Sequence, residues 1–155
     1  MLGNISENEV RDKSPRLMIG KSATVEVVSK LSLPLIKTEV GDLVSCDEVT
    51  LPFDPKRVFY LYDIPAGESR GAHAHIECHQ ILVAVSGSFD VRLDDGAQQR
   101  VIALNQPTEG LHIPPGIWAA ETNFSGGAIC LVLTSHEYDE DDYIRDWSDF
   151  LRFKK

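Results

Sequence analysis

Residues 67–87 read GESRGAHAHIECHQILVAVSG and carry three of the chain's five histidines. In a strand, residues i and i+2 project to the same side. His73 and His75 then share one face, with Ala74 behind them. His79 joins that face only if extended chain runs unbroken through Ile76, Glu77 and Cys78. Gln80 opens the apolar run ILVAV and can reach the same space. Three imidazoles this close together suit a metal ion, proton transfer or plain packing, and the stretch alone leaves all three open.

Working outward, the surroundings are built from strands. From Thr24 on, short β-branched and aromatic runs alternate with breaks at Gly, Pro, Asn and Asp: ATVEVVSKL, GDLVSCDEVTL, RVFYLYDI, RVIALN, GLHIPP, IWAAETN and AICLVLTS. Such spacing predicts an all-β sandwich or barrel. The segment FDVRLDDGAQQRVIAL predicts a hairpin turning at DDG, with Phe89, Val91 and Leu93 inward against Asp90, Arg92 and Asp94. Towards the C-terminus, Tyr143, Ile144, Trp147, Phe150 and Leu151 fall at helical spacing, with acids before them and Arg152, Lys154 and Lys155 after. That order complements a helix dipole and predicts one short amphipathic helix packed on the β-body. The acidic run lacks the central Gly and closing Glu of a calcium loop, so it reads as a solvated face. Residues 1–22 are polar and aperiodic and read as an arm or tail, leaving 23–155 as one domain.

Composition narrows the function. The 155 residues carry a formal net charge of -9, which argues against nucleic-acid backbones and anionic membranes as partners. A small anionic ligand is compatible, because a few arginines can hold a phosphate. No apolar run approaches a membrane span, and the polar N-terminus lacks a secretory h-region. Three scattered cysteines, Cys46, Cys78 and Cys130, predict free thiols and a cytoplasmic setting.

The spacing Gly67, His73, His75, Gln80, Gly87 resembles the first cupin motif, with Gln where the motif has Glu. Pro114, Gly116 and Asn123 resemble the second, with Ala119 where the motif has His. The resemblance implies a double-stranded β-helix, or jelly-roll barrel, with a short C-terminal helix. Metal-binding cupins use three histidines and a carboxylate. This chain offers two imidazoles and a neutral amide at those positions, a poor set for a divalent ion. No metal and no cofactor are therefore expected.

Over residues 34–152 the chain further resembles the WxcM-like sugar 3,4-ketoisomerases, through PFDPKRVFYLYDIP, RGAHAH, LDDG, IPPGIW and YDEDDYIRDWSDFL. The resemblance implies a homodimeric enzyme that moves the keto group of dTDP-4-keto-6-deoxyglucose from C4 to C3, on the way to 3-amino-dideoxy sugars. It implies that His73 is the general base and that His75 shuttles protons at the sugar oxygens. On chemistry alone, Arg70 and Tyr60 are candidates to stabilise the enediolate. Gln80 is a candidate to bond a sugar hydroxyl, and Arg57, Arg70 and Trp118 to hold the nucleotide. Two positions depart from the family pattern: Ala119 stands where Trp-His is common, and Val40-Gly41 where Arg-Gly is common. A metal-dependent cupin enzyme and a non-catalytic nucleotide-sugar-binding cupin are the alternative readings.

Overall fold

The computed structural model describes residues 20–155. The strands are β1 (Ser29–Ser32), β2 (Leu35–Thr38), β3 (Gly41–Val44), β4 (Arg57–Leu61), β5 (Arg70–His75) and β6 (Gln80–Ser86). They continue as β7 (Phe89–Asp94), β8 (Gln99–Leu104), β9 (Glu109–Ile113), β10 (Trp118–Thr122), β11 (Ile129–Thr134) and β12 (Tyr143–Ile144), followed by helix α1 (Trp147–Lys154). Two five-stranded sheets run in the orders β1-β9-β6-β11-β4 and β12-β5-β10-β7-β8, and β2 and β3 pair as a separate hairpin. All these pairings are antiparallel.

Side chains from both sheets meet in one core. Leu82 and Ala84 of β6, Val91 and Leu93 of β7, Leu111 of β9 and Val132 of β11 belong to a single buried cluster. The sheets therefore pack face to face as a jelly-roll of the cupin type, the architecture read from the sequence. The β7–β8 hairpin turns at Asp95 and Gly96. Asp95 Oδ1 accepts from the N–H groups of Ala97 and Gln98, and Gly96 has φ +91°, which Gly adopts without strain. Phe89, Val91 and Leu93 are buried as the alternation predicts.

Strand β6 is buried on both faces because a second cluster covers its outer side. There Ile81 and Val83 meet Leu33, Leu51 and partly buried Leu131 and Leu133. Helix α1 covers the outside of the other sheet. Phe150, fully buried, packs with Ala74 and Ile144, and Trp118 joins them. Asp146 caps the helix by accepting from the Asp149 N–H.

The predicted helix is shorter than its periodicity suggested. Tyr143 and Ile144 are extended and pair with His75 and Ala74. Residues 140–142 form a 3-10 turn before them. Ladder hydrogen bonds to β5 win over helical spacing here, because they bury Ile144 against Ala74.

Of the predicted N-terminal arm, residues 1–19 lie outside the described residues. Gly20–Ser22 instead belongs to the folded body as a 3-10 turn with Gly20 buried. The Lys154 ammonium donates to the carbonyls of Gly20, Ala23 and Gly116, tying α1 to this turn and to the loop before β10. No helix among the described residues is long and apolar enough to cross a membrane.

Candidate active site

Strand β5 ends in RGAHAH, and its inner face carries His73 and His75. The strand stops at His75, and the chain turns before β6 starts at Gln80. His79 therefore leaves the shared face. Its Nδ1 lies 3.0 Å from Nε2 of His112, and the two rings stack on the opposite side of the sheet near Phe53. Burial, then the neighbouring His79, lowers the His112 pKa to about 4. His136 bonds to Ser135 Oγ. None of these three histidines contacts the His73–His75 pair through a hydrogen bond.

The remaining pair is linked in a chain. His73 Nε2 lies 3.2 Å from His75 Nε2, and His75 Nδ1 lies 2.8 Å from Asp142 Oδ2. Asp142 also accepts from the backbone N–H of Glu77 and of Cys78. Burial alone would raise the Asp142 carboxyl, but the bond from His75 and these N–H groups outweigh it and hold the pKa below its ordinary value. An ionised Asp142 fixes the His75 proton on Nδ1. The Nε2–Nε2 contact then holds one proton between the two rings. Burial first, then the charges of His75 and Arg145, lowers the His73 pKa to about 4, so His73 is a neutral base at physiological pH.

Tyr143 packs on both imidazoles, with ring centroids 4.9 Å from His73 and 4.4 Å from His75. Its hydroxyl accepts from the Arg57 guanidinium at 3.1 Å. The Arg145 guanidinium covers the other side of the Tyr143 ring, 4.3 Å from its centroid, and is clamped at two points by Glu140. A cavity of about 240 Å³ opens in front of His73, and Arg70, Gln80, Glu121, Tyr143 and Arg145 line it.

The structure thus brings four of the predicted residues together: His73, His75, Arg70 and Gln80. Arg57 stands behind Tyr143 and does not line the cavity. Tyr60 does not join them. On β4 it is Phe59 and Leu61 that face inward, while Tyr60 is 61% exposed beside Tyr62. Trp118 points outward too, against Trp147 and Phe150, and lines a separate groove of about 530 Å³ on the outer face of β7, β8 and β10.

Four residues of the site were missed by sequence reasoning. Asp142 lies in the acidic run that read as a solvated face, and Tyr143 and Arg145 in the segment that read as an amphipathic helix. Glu121 lies on β10, and its signal was available, since it shares the inward parity of Ala119.

A cupin metal does not fit these groups. Ala119 is the register partner of His73 and offers no ligand where a third histidine would stand. Gln80 is a neutral amide, and both nitrogens of His75 are engaged. Among the described residues one cluster has metal-ligand character, His75, Cys78 and Asp142. Burial raises the Cys78 thiol pKa, keeping it protonated, and the Asp142 oxygens already accept three hydrogen bonds.

A cupin barrel carrying a buried acid–base pair is the class that fold and site define. The family model described as "WxcM-like, C-terminal" matches residues 26–155, and the chain belongs to that family. A curated relative, the TDP-4-oxo-6-deoxy-alpha-D-glucose-3,4-oxoisomerase of Aneurinibacillus thermoaerophilus, is 41% identical over 73% of this chain and 82% of its own. A 3,4-ketoisomerase from Helicobacter canadensis is 39% identical with a TM-score of 0.80, covering 83% of this chain and 97% of that one. A variant of the 3,4-ketoisomerase QdtA from Thermoanaerobacterium thermosaccharolyticum, solved with TDP-4-keto-6-deoxyglucose, is 34% identical. It has a TM-score of 0.78 and covers 81% and 91% of the two chains.

Proposed function

We propose that this chain is a sugar-nucleotide 3,4-ketoisomerase that moves the keto group of a dTDP-linked 4-keto-6-deoxyhexose from C4 to C3. The single observation that carries the reading is the Asp142–His75–His73 chain opening onto a polar cavity. Carrying a ketone to the next carbon needs a neutral base that takes a proton from one carbon and, after exchange with solvent, delivers one to the neighbouring carbon. His73 supplies that base. It takes the proton from C3, an enediol forms, and the same imidazolium returns a proton to C4.

His75 supports His73 through the Nε2–Nε2 contact and does not itself line the cavity. Arg70 and Arg145 face the cavity as cations for the developing enediolate or the pyrophosphate. Gln80, 7% exposed, offers a donor and an acceptor to a sugar hydroxyl. The chemistry runs through these groups without a metal or a cofactor. The free cysteines support a cytoplasmic setting.

The homodimer is part of the same proposal. The β2–β3 hairpin exposes Leu35, Ile36, Val40 and Leu43, an apolar surface suited to a second copy. Sedimentation of a monomer at micromolar concentration would remove that part.

The test is direct. Metal-stripped protein is incubated with dTDP-4-keto-6-deoxyglucose in heavy water, and deuterium at C3 and C4 is read by NMR. A 3-keto product with deuterium at C4 is expected. Nucleotide-sugar binding without exchange at C3 would instead identify a non-catalytic binding module.

A further inference from the structure

Isomerisation moves one proton from C3 to C4 and one from O3 to O4, and the histidine chain accounts only for the first. We infer that Glu121 is a further catalytic residue, which exchanges protons with the two sugar oxygens while His73 serves the carbons. The inference rests on the ketoisomerase reading above.

Three features of the fold aim this side chain at the substrate. First, the β10–β5 register shifts between Ala119 and Glu121, an irregularity of the kind that re-aims a side chain. Second, Gly71 makes the space. Its φ is +78°, and a Cβ there would fall on the Glu121 carboxylate. Third, Ala119 and Glu121 share the inner face of β10, and Ala119 is small. Glu121 and His73 both line the cavity.

The carboxyl is also costly where it stands. Glu121 is 7% exposed, yet it lines the cavity in front of His73, with its own backbone N–H and the Arg70 cation acting on its carboxyl. Burial raises its pKa to about 7, against smaller opposing effects of its own backbone N–H and of Arg70. It is thus able both to give and to take a proton near neutrality.

The electrons and protons balance. His73 takes the C3 proton, the C3–H pair becomes the C3=C4 bond, and the carbonyl π pair moves to O4. O4 takes the Glu121 proton, giving the enediol. The Glu121 carboxylate then removes the O3 proton, the O3 pair forms the C3 carbonyl, and the C3=C4 pair takes the proton on His73 to C4. Both side chains return to their starting states, and no co-reactant is needed.

The test compares wild type with Glu121→Gln, using dTDP-4-keto-6-deoxyglucose in heavy water. The amide still donates a hydrogen bond to O4 but cannot transfer a proton. Product formation should fall by about 100-fold or more, while deuterium continues to enter C3 of recovered substrate and TDP binding by calorimetry is unchanged. Glu121→Met, of similar volume and without a donor, should lose exchange and product together while still binding TDP. It also serves if the Gln variant does not fold. Product formation within about 3-fold of wild type in either folded variant overturns the inference, as does loss of TDP binding in step with turnover. A wild-type protein that makes no 3-keto product removes the function and the inference together, which separates the two failures.

Discussion

Replacing Glu121 by Gln should change how stability depends on pH, independently of any substrate. In the folded chain burial lifts this carboxyl from its ordinary value of 4.5 to about 7. Between those two values the folded state holds a proton that the unfolded chain has released. Stability therefore falls as pH rises through this window, by about 1.4 kcal/mol per pH unit at most. The contribution is fully present below about pH 4.5 and lost by about pH 7, a total of about 3 kcal/mol over the interval. His73 and His112 act in the opposite sense. Their folded pKa values are lowered to about 4, so they make stability rise between about pH 4 and 6.5. Both histidines remain in the variant and cancel in the comparison.

The measurement is urea unfolding of the two proteins at matched concentration from pH 4 to pH 8. The stability of wild type minus that of the variant should drop by about 3 kcal/mol across the range, with the fall between about pH 4.5 and 7. A difference that stays flat would mean that Glu121 titrates normally, and the picture of a desolvated carboxyl on the inner face of β10 would be refuted.

Other consequences are as direct. His73→Asn should reduce isomerase turnover by at least about 1,000-fold with the circular dichroism spectrum unchanged, because the mechanism routes the carbon-bound protons through His73 alone. Asp142→Ala should cost about 2 kcal/mol in urea unfolding, by leaving His75 and two backbone N–H groups short of an acceptor, and should also lower turnover. Gly71→Ala should destabilise by roughly 1–3 kcal/mol, since φ +78° strains an L residue and the methyl displaces the Glu121 carboxyl. Thermal melting reads that loss, and Glu121→Gln should not restore it because the amide occupies the same space.

Much of the fold was legible because inward and outward residues alternate cleanly in β7 and turn at Gly96. His73, His75 and Gln80 were legible because two motif spacings fix them on one face of a barrel. Tyr60 misled because VFYLY is apolar at every position, so nothing in the run says which parity faces inward. Trp118 misled for a different reason: a large aromatic beside a turn suits a nucleotide wall as well as a helix contact, and only docking of Phe150 and Trp147 decides. Asp142 was invisible because its partner His75 is 67 residues away, and a run of acids gives no hint which one turns in. Tyr143 and Ile144 fit helical spacing by coincidence, and pairing with β5 overrides it.

The placement of Asp142, Tyr143 and Arg145 ahead of α1 makes activity a reporter of local opening. This segment is held by the two-residue strand β12, by the buried Phe150 and by the contacts of Lys154, a smaller set of attachments than the barrel core possesses. Such an element detaches at lower free energy than the whole domain unfolds. On warming, turnover should vanish while the barrel's far-ultraviolet signal is still intact, and a substitution at Phe150, which touches none of the reacting groups, should bring that inactivation to lower temperature.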